Sequence, residues 1–280
     1  MVRYKGHAVL VDCGEGTQIA AAQAGLTLKP IDKILITHLH ADHISGLPGL
    51  LLSMGNMGRT EDLSIIGPAG TERAVRALCS IAPNLPFAIR VSELETDTED
   101  MFFQECDIHA FSLQHGMPCY GYSFSLPRAG KFQADRAKEL GIPLPLWKHL
   151  QKGETVEDAG RTYTPDMVMG PARRGLKVTY CTDTRPTPAI VAAAKDSDLF
   201  ICEGMYGEDE MLPKAKENKH MLFSEAARLA SQAGVKELWL THYSPSLPNP
   251  KAFRDAARAI FPATYTPKDG WSKELRFPED

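Results

Sequence analysis

The sequence lacks long apolar runs and paired-cysteine motifs. No apolar stretch approaches the roughly 18 residues that a membrane-spanning helix needs, which argues against a membrane protein. Only the short run Ala8–Val11 separates the N-terminal basic residues from Asp12, and a secretory signal needs a longer apolar region. The six cysteines are scattered, with no CxxC pair. Without an export signal, they are expected to be reduced and mostly buried, which predicts a cytoplasmic setting.

An excess of positive charge is also missing. The formal net charge of −4 argues against a nucleic-acid binder that is evenly coated with basic residues, but it leaves a local basic patch open. Apolar residues make up 43% of the chain and charged residues 24%, as in ordinary globular proteins. A length of 280 residues is near the upper limit for one hydrophobic core.

Short apolar segments alternate with helical segments along the chain, without an internal repeat. The predicted strands are Ala8–Val11, Lys33–Ile36, Ser64–Ile66, Ile108–Leu113, Lys177–Cys181, Leu199–Cys202 and Glu237–Leu240. The predicted helices are Thr17–Ala24, Ile44–Ser53, Thr71–Cys79, Pro188–Ala194, Ser224–Gln232 and Pro250–Ile260. This alternation predicts an α/β fold in which helices cover central sheets.

The segment Thr37–His43, with the sequence THLHADH, carries the strongest chemical signal. It follows one predicted strand and places His38, His40, Asp42 and His43 within six residues. A turn between a strand and a helix can direct several such side chains into one small volume. Imidazole and carboxylate together suit zinc, and also manganese or iron. The alternative, a solvated polar turn, does not account for three histidines at this spacing.

Three further candidate ligands lie just beyond the carboxyl ends of predicted strands. They are His115 after Ile108–Leu113, Asp183 after Lys177–Cys181, and His242 after Glu237–Leu240. Open α/β sheets place their ligand sites at that edge. Each histidine taken singly is more often structural, but together with the upstream HxHxDH pattern they predict one metal site.

Asp12 also ends a predicted strand, in the run Asp12-Cys13-Gly14-Glu15-Gly16. It is expected to hold the turn and to support metal ligands from behind rather than to catalyse. Gly14 and Gly16 are expected to allow a tight backbone turn there.

The segment from about 126 to 171 interrupts the alternation of strands and helices. It is rich in Pro and Gly, and its clearest element is a short helical stretch near Ala134–Leu140. Between Arg128 and Lys152 the net charge is +4, and Phe132 and Trp147 are interleaved with the basic residues. A protruding basic arm would bind a phosphate backbone, whereas the alternative is a solvated, charged surface segment. Its basic residues are Arg128, Lys131, Arg136, Lys138, Lys148 and Lys152.

These motifs resemble the metallo-β-lactamase superfamily and, within it, the ribonuclease Z branch, whose members mature the 3′ end of precursor tRNA. The HxHxDH pattern is typical of the superfamily. The resemblance also covers Val11-Asp12-Cys13-Gly14-Glu15-Gly16-Thr17-Gln18, His115-Gly116-Met117-Pro118-Cys119-Tyr120-Gly121-Tyr122, Asp183-Thr184-Arg185-Pro186, and Thr241-His242-Tyr243-Ser244. The first two of these elements, together with the extra His220, narrow it to the ribonuclease Z branch. It implies a four-layer αββα sandwich of one domain over residues 1–280, with the segment of about 126–171 as an inserted tRNA-binding arm.

The resemblance also implies a residue-by-residue assignment around two zinc ions. His38, His40 and His115 would hold one ion; Asp42, His43 and His242 would hold the second; and Asp183 would bridge both. Asp42 would accept a proton from the attacking water. His220, supported by Glu203, would protonate the departing 3′ oxygen. The alternative for His220 is a surface histidine in a lysine-rich loop that also contains Lys214, Lys216 and Lys219.

The chain departs from the family's pattern in two places. The arm has Gly141-Ile142-Pro143-Leu144-Pro145, with Leu144 where the family often has glycine. The family's usual first strand and Gly-rich loop, ahead of Ala8–Val11, are expected to be missing, which would leave a sheet edge unprotected.

Three functions remain open at this point. The first is a zinc-dependent endoribonuclease that cleaves precursor tRNA on its 3′ side and, as the resemblance implies, works as a homodimer in which one subunit's arm holds the tRNA cleaved by the other. The second is a hydrolase of the same fold that acts on small phosphodiesters or sulfate esters. The third is a non-catalytic module that binds RNA or protein. Metal content separates the third from the others, and salt-dependent RNA binding separates the first two.

Overall fold

The structure is a computed structural model that describes residues 1–278. Its strands are β1 (Val2–Tyr4), β2 (His7–Val11), β3 (Ile31–Leu35), β4 (Leu63–Gly67), β5 (Ile89–Glu93), β6 (Thr98–Phe103), β7 (Cys106–Ser112), β8 (Tyr120–Arg128), β9 (Val156–Asp158), β10 (Arg161–Tyr163), β11 (Arg173–Cys181), β12 (Leu199–Glu203), β13 (Leu238–Thr241) and β14 (Thr264–Tyr265). Its α-helices are α1 (Thr17–Gln23), α2 (Ala41–Ile44), α3 (Leu47–Asn56), α4 (Thr71–Cys79), α5 (Ala134–Glu139), α6 (Leu144–Gln151), α7 (Pro188–Ala194), α8 (Leu212–Asn218), α9 (Phe223–Ala233) and α10 (Arg254–Ile260).

The chain divides into two compact units. The first, called the main unit below, comprises Met1–Ser125 and Lys177–Leu275. The second, called the arm unit, comprises Leu126–Leu176 and, among the described residues of the C-terminal segment, Arg276 to Pro278. The segment predicted as an inserted arm, about 126–171, lies within the arm unit.

The main unit contains two sheets. The first has the order β1-β2-β3-β4-β5, with β2 to β5 parallel and β1 antiparallel to β2 at one edge. The second has the order β14-β13-β12-β11-β8-β7-β6, in which β11 to β14 run parallel and β6, β7 and β8 are antiparallel. The parallel strands β2, β12 and β13 are buried along most of their length, which agrees with their runs of apolar residues.

Helices cover one face of each sheet. Buried residues of β2, β3 and β4 pack with α1, α3 and α4, including Leu50 and Val75. Residues of β12 and β13, such as Phe200 and Leu240, pack with α7, α9 and α10. The sheets also contact each other, since Tyr122 in β8 donates its hydroxyl to the carbonyl of Ile36 at 2.7 Å. The predicted helix–sheet–sheet–helix order is therefore confirmed.

The seven predicted strands are all present, with shifted ends, but other elements were missed. Ala8–Val11 is not the first strand of this chain, because Val2–Tyr4 forms β1 ahead of it. The predicted helix Ile44–Ser53 is wrong at its start: α2 and α3 are separate helices on either side of Gly46. The predicted helix Pro250–Ile260 begins with a 3-10 turn, and α10 starts only at Arg254.

The arm unit is more regular than its sequence predicts. It contains α5, α6 and the antiparallel hairpin β9–β10. Its core is formed by Ala137, Ile142, Leu150, Tyr163 and Val168. The two prolines in Pro143-Leu144-Pro145 obscured α6, yet one is the residue before the helix and the other lies in its first turn, where proline costs no hydrogen bond.

Candidate metal centre

A close backbone approach shapes the loop that carries the HxHxDH residues. The amide of Cys13 donates to the carbonyl of His43 at 2.7 Å, and the amide of Gly46 donates to the carbonyl of Cys13 at 2.9 Å. A Cβ atom at Gly14 would lie 2.1 Å from the carbonyl oxygen of Asp42, and one at Gly46 would lie 1.9 Å from that of Gly14. Both positions therefore require glycine, because any side chain there would prevent the turn between β2 and α1 from packing against the loop that carries the HxHxDH residues.

Four of the predicted ligands form a first donor set: His38, His40, His115 and Asp183. Their ligand atoms all lie within 4.8 Å of one another. His38 Nε2 is 2.9 Å from His40 Nδ1, which is 3.3 Å from His115 Nε2. Three imidazole nitrogens thus converge on one point, beside a carboxylate.

The second donor set consists of Asp42, His43 and His242, again within 4.8 Å of one another. His43 Nε2 lies 3.3 Å from His242 Nε2 and 3.5 Å from an oxygen of Asp42. The side chain of Asp42 is 62% exposed, whereas that of His43 is only 6% exposed. Asp42 is thus the most solvent-exposed member of this set.

Asp183 faces both donor sets with different oxygens. Its Oδ2 lies 3.6 Å from His38 Nε2 and 3.9 Å from His115 Nε2. Its Oδ1 lies 3.1 Å from His242 Nε2 and 3.5 Å from His43 Nε2. This is the arrangement needed by a carboxylate that bridges two metal ions.

The protonation states at the centre suit metal ligands. Burial and the neighbouring His43 lower the pKa of His38 to about 3, so its imidazole is neutral near pH 7. Burial alone would raise the pKa of Asp183, but His242 and His43 outweigh it and hold the pKa below its ordinary value. Neutral imidazole and ionised carboxylate are the forms that bind divalent ions, so His38 and Asp183 fit a metal centre. Burial lowers the pKa of His43, but the hydrogen bond and charge of Asp12 outweigh burial and raise it, so a bound ion would have to displace a proton from this ring.

Asp12 supports the ligand loop from behind, as expected. Its carboxylate accepts hydrogen bonds from the amide and hydroxyl of Thr37, at 2.7 and 2.8 Å. The same group lies 2.8 Å from His43 Nδ1. This contact fixes the orientation of the His43 ring and leaves Nε2 facing the donor set.

His220 and Glu203 form a pair beside the two donor sets. Glu203 ends β12 and is fully buried, and its carboxylate lies 3.3 Å from His220 Nδ1. It also accepts hydrogen bonds from the amides of Thr184 at 2.5 Å and Met221 at 3.0 Å. The His220 ring lies 5.5 Å from the His115 ring and 5.7 Å from the His242 ring, measured between centroids.

The environment of His220 favours its protonated form. Burial lowers the pKa of His220, but the hydrogen bond and the charge of Glu203 outweigh burial and raise it. Burial also raises the pKa of Glu203, while the contacts with His220 and the two amides oppose that rise. Since Nδ1 faces Glu203, Nε2 is the nitrogen left for a reacting group.

Sequence reasoning missed an ion pair between Arg185 and Glu225 next to this pair of residues. Both side chains are 13% exposed, and the guanidinium bonds both carboxylate oxygens, one of them at 2.9 Å. In the sequence, Arg185 belongs to the Asp-Thr-Arg-Pro motif, and Glu225 lies inside the predicted helix Ser224–Gln232. No local pattern connects two positions 40 residues apart.

The arm's basic residues remain a predicted substrate surface. Lys131, Arg136, Lys138, Lys148 and Lys152 are exposed, whereas Arg128 is half-buried and stacks on Phe277 at 4.9 Å. Phe132 and Trp147, interleaved with them in sequence, are not free aromatic platforms. Their rings pack on each other at 5.2 Å, and the Trp147 indole donates to the carbonyl of Ile142, so both rings serve the core of the arm unit.

Comparison with known proteins agrees with this site. A family model described as the metallo-beta-lactamase superfamily matches residues 1–202. The ribonuclease Z of Agathobacter rectalis is 58% identical over 279 residues, which cover all of this chain and 92% of that protein. The chain belongs to the ribonuclease Z family. The ribonuclease Z of Lachnospira eligens is 56% identical to it, over all of this chain and 92% of that family member.

Two solved structures have folds similar to that of this chain. The human tRNase Z, short form, is 26% identical with a TM-score of 0.65, covering 88% of this chain and 85% of that one. A metallo-beta-lactamase fold protein from Bacillus subtilis is 17% identical with a TM-score of 0.67, over 96% of this chain and 87% of that one, and shows the shared fold alone. Among the described residues, no helix has the length and apolar character to cross a membrane.

Proposed function

We propose that this chain is an endoribonuclease that cleaves precursor tRNA on its 3′ side and leaves a 3′ hydroxyl on the tRNA. The observation that carries the proposal is the union of two donor sets, bridged by Asp183, with the buried Glu203–His220 pair beside them. The relatives named ribonuclease Z, at more than half identity over the whole chain, support this substrate.

The metal centre is proposed to hold two zinc ions, with manganese or iron as alternatives. His38, His40 and His115 would hold one ion, Asp42, His43 and His242 the other, and Asp183 both. When bound, two ions supply Lewis-acid stabilisation of the phosphodiester and lower the pKa of the attacking water. The nitrogen-rich donor set favours zinc over magnesium or calcium, which prefer oxygen ligands.

Two side chains are proposed to move the protons of the reaction. Asp42, whose carboxylate is largely exposed at the rim of the centre, accepts the proton of the attacking water. His220 Nε2 donates a proton to the departing 3′ oxygen, while Glu203 holds the ring through Nδ1. Their separate positions allow one group to act as base and the other as acid.

A second copy of the chain and a cytoplasmic setting complete the proposal. In the main unit, α1 and α3 contact each other, and Ile19 on α1 and Leu52 on α3 are 58% and 41% exposed. In the proposed homodimer, a second copy of the chain would cover these side chains. All six cysteines are free thiols, which supports a reducing compartment.

The proposed function is tested with a precursor tRNA that carries a 3′ trailer and with bis(p-nitrophenyl) phosphate as a small substrate. Purified protein is loaded with zinc or manganese, and metal content is measured on the same sample. A single cut at the 3′ side of the tRNA, leaving a 3′ hydroxyl, is the expected result. Turnover of the small diester alone would instead indicate the small-substrate hydrolase, and absence of bound metal and of turnover would indicate a non-catalytic module.

The arm's contribution to RNA binding is tested by the double variant Lys148→Gln/Lys152→Gln. Lys148 lies in the last turn of α6 and Lys152 is the residue that follows the helix, and both are exposed. We expect KM for precursor tRNA to rise and the salt slope of log(kcat/KM) to become shallower by roughly 0.7 to 0.9 per lost phosphate contact. Turnover of bis(p-nitrophenyl) phosphate should be unchanged.

The matched control for the arm is Lys251→Gln, which removes an exposed charge from the main unit. It should leave both KM and the salt slope at their wild-type values. An unchanged salt slope in the arm variant would assign the basic segment to a solvated surface and remove it from the binding site.

A further inference from the structure

The turn that contains His220 is fixed by backbone hydrogen bonds in addition to the contact between Glu203 and the His220 ring. His220 lies between α8 and α9, and its amide donates to the carbonyl of Ala215 at 2.9 Å. The carbonyl of His220 accepts a hydrogen bond of 2.5 Å from the guanidinium of Arg185. Arg185 therefore reaches the backbone of His220 directly but does not contact its ring nitrogens.

Arg185 connects three parts of the site. Its own amide donates to the carbonyl of Gln114, the neighbour of His115, at 3.0 Å. Its guanidinium binds both oxygens of Glu225, and Glu225 in turn accepts from the amide of Leu222 at 3.0 Å. The guanidinium thus lies between the carbonyl that precedes α9 and the carboxylate in the first turn of α9, with its backbone anchored beside the first donor set.

We propose that Arg185, paired with Glu225, is a positioning residue that sets the place of His220 for protonation of the leaving oxygen. The proposal rests on the proposed function. In that reaction an oxygen from water bonds to phosphorus and the bond from phosphorus to O3′ breaks. The electron pair of that bond goes to O3′, which takes its proton from His220 Nε2.

The chemistry of the pair explains why arginine suits this position. A planar guanidinium can bond a carboxylate with two N–H groups and still offer a third N–H group to a carbonyl, whereas a lysine ammonium is a point donor without that fixed fork. With both side chains largely buried, solvent does not compete for these bonds. Without the guanidinium, the carbonyl of His220 loses its hydrogen bond and the turn that contains His220 can move. A displacement of a catalytic acid by about 1 Å lowers the reaction rate by up to roughly 100-fold.

The test compares two precursor tRNAs that differ in one atom of the scissile bond. The first has the natural 3′ oxygen, and the second has sulfur in its place. A thiolate leaves without prior protonation because a thiol is far more acidic than an alcohol. A variant that misplaces only the acid therefore slows the oxygen substrate and spares the sulfur substrate.

The variants are Arg185→Met, Arg185→Lys and Glu225→Gln, with Arg228→Met as the matched control. Arg228 is on the same helix as Glu225 and contacts Ser224 rather than His220. We expect Arg185→Met to lower the single-turnover cleavage rate of the oxygen substrate about 10- to 100-fold. Metal content and KM should stay unchanged, the sulfur substrate should be cut at close to the wild-type rate, and Arg185→Lys and Glu225→Gln should have smaller defects of the same selectivity.

Two results would overturn the inference. Equal losses on the oxygen and sulfur substrates would mean that Arg185 serves the fold and not the acid. Additive losses in Arg185→Met/His220→Ala would mean that the two residues act independently, whereas a double variant no slower than His220→Ala supports positioning through His220. If wild-type protein cuts neither substrate, the proposed function fails, and that outcome is distinct from both.

Discussion

Asp183→Ala is expected to abolish precursor tRNA cleavage and to remove metal from both halves of the centre. Its two oxygens face different donor sets, so one substitution takes a ligand from each. Loss of a group that only supports a ligand costs about 10- to 100-fold in affinity or activity, and loss of a shared ligand should exceed that. The measurement is metal content per chain after dialysis against a weak chelator, together with the single-turnover cleavage rate.

The comparison with Asp42→Asn sharpens this result. Asp42 belongs to the second donor set alone and its side chain is largely exposed, so its loss should affect one ion and leave the other bound. Circular dichroism of both variants controls for unfolding, because Asp183 is buried and hydrogen-bonded to the hydroxyl of Thr182. An Asp183→Ala protein that keeps two ions per chain would disprove the bridging assignment.

The candidate ligands could be predicted from sequence because each follows an apolar strand or lies in a dense local pattern. His115, Asp183 and His242 come just after β7, β11 and β13, and the end of a strand can be located from hydrophobicity alone. The sequence does not reveal which candidate ligands belong to the same donor set. Asp42 and His242 are 200 residues apart, and only the packing of the two sheets brings their ligand atoms to 3.8 Å.

The elements that sequence reasoning missed share a different cause. β6 has the sequence TEDMFF, with two acidic residues and an exposed Phe102, and it is a strand because β7 pairs along its whole length. α8 contains three charged residues and a proline in its first turn, and it buries Ala215 in a small cluster. The secondary structure of such segments is determined by their tertiary contacts rather than by local propensity.

The Arg185–Glu225 pair shows the same limit at the functional site. Glu225 near the start of a helix is fully explained locally by its bond to the Leu222 amide. Its second partner comes from the turn after β11, through a contact that only the sheet order creates. Local sequence rules therefore identify candidate metal ligands more readily than they identify ion pairs that form behind them.

His220→Ala is expected to lower the single-turnover cleavage rate of precursor tRNA by about 10²- to 10⁴-fold, the usual contribution of a general acid. The fold should survive, since Glu203 keeps its hydrogen bonds to the amides of Thr184 and Met221. Metal content is the decisive second measurement. His220 also forms a group with Asp183 and His242 whose ligand atoms lie within 4.8 Å of one another, so the structure offers it a second possible role as a ligand.

The two roles give opposite results. If His220 is the general acid, the His220→Ala variant should keep the wild-type metal content. Added imidazole should then restore part of the cleavage rate by entering the space of the missing ring. If His220 is a metal ligand, the variant should lose metal, and extra zinc rather than imidazole would then restore activity.

Glu203→Gln keeps the His220 ring but removes the carboxylate that favours its protonated form. It should therefore show a smaller loss than His220→Ala if the ring acts as an acid, and a loss of metal in Glu203→Gln would count against that role.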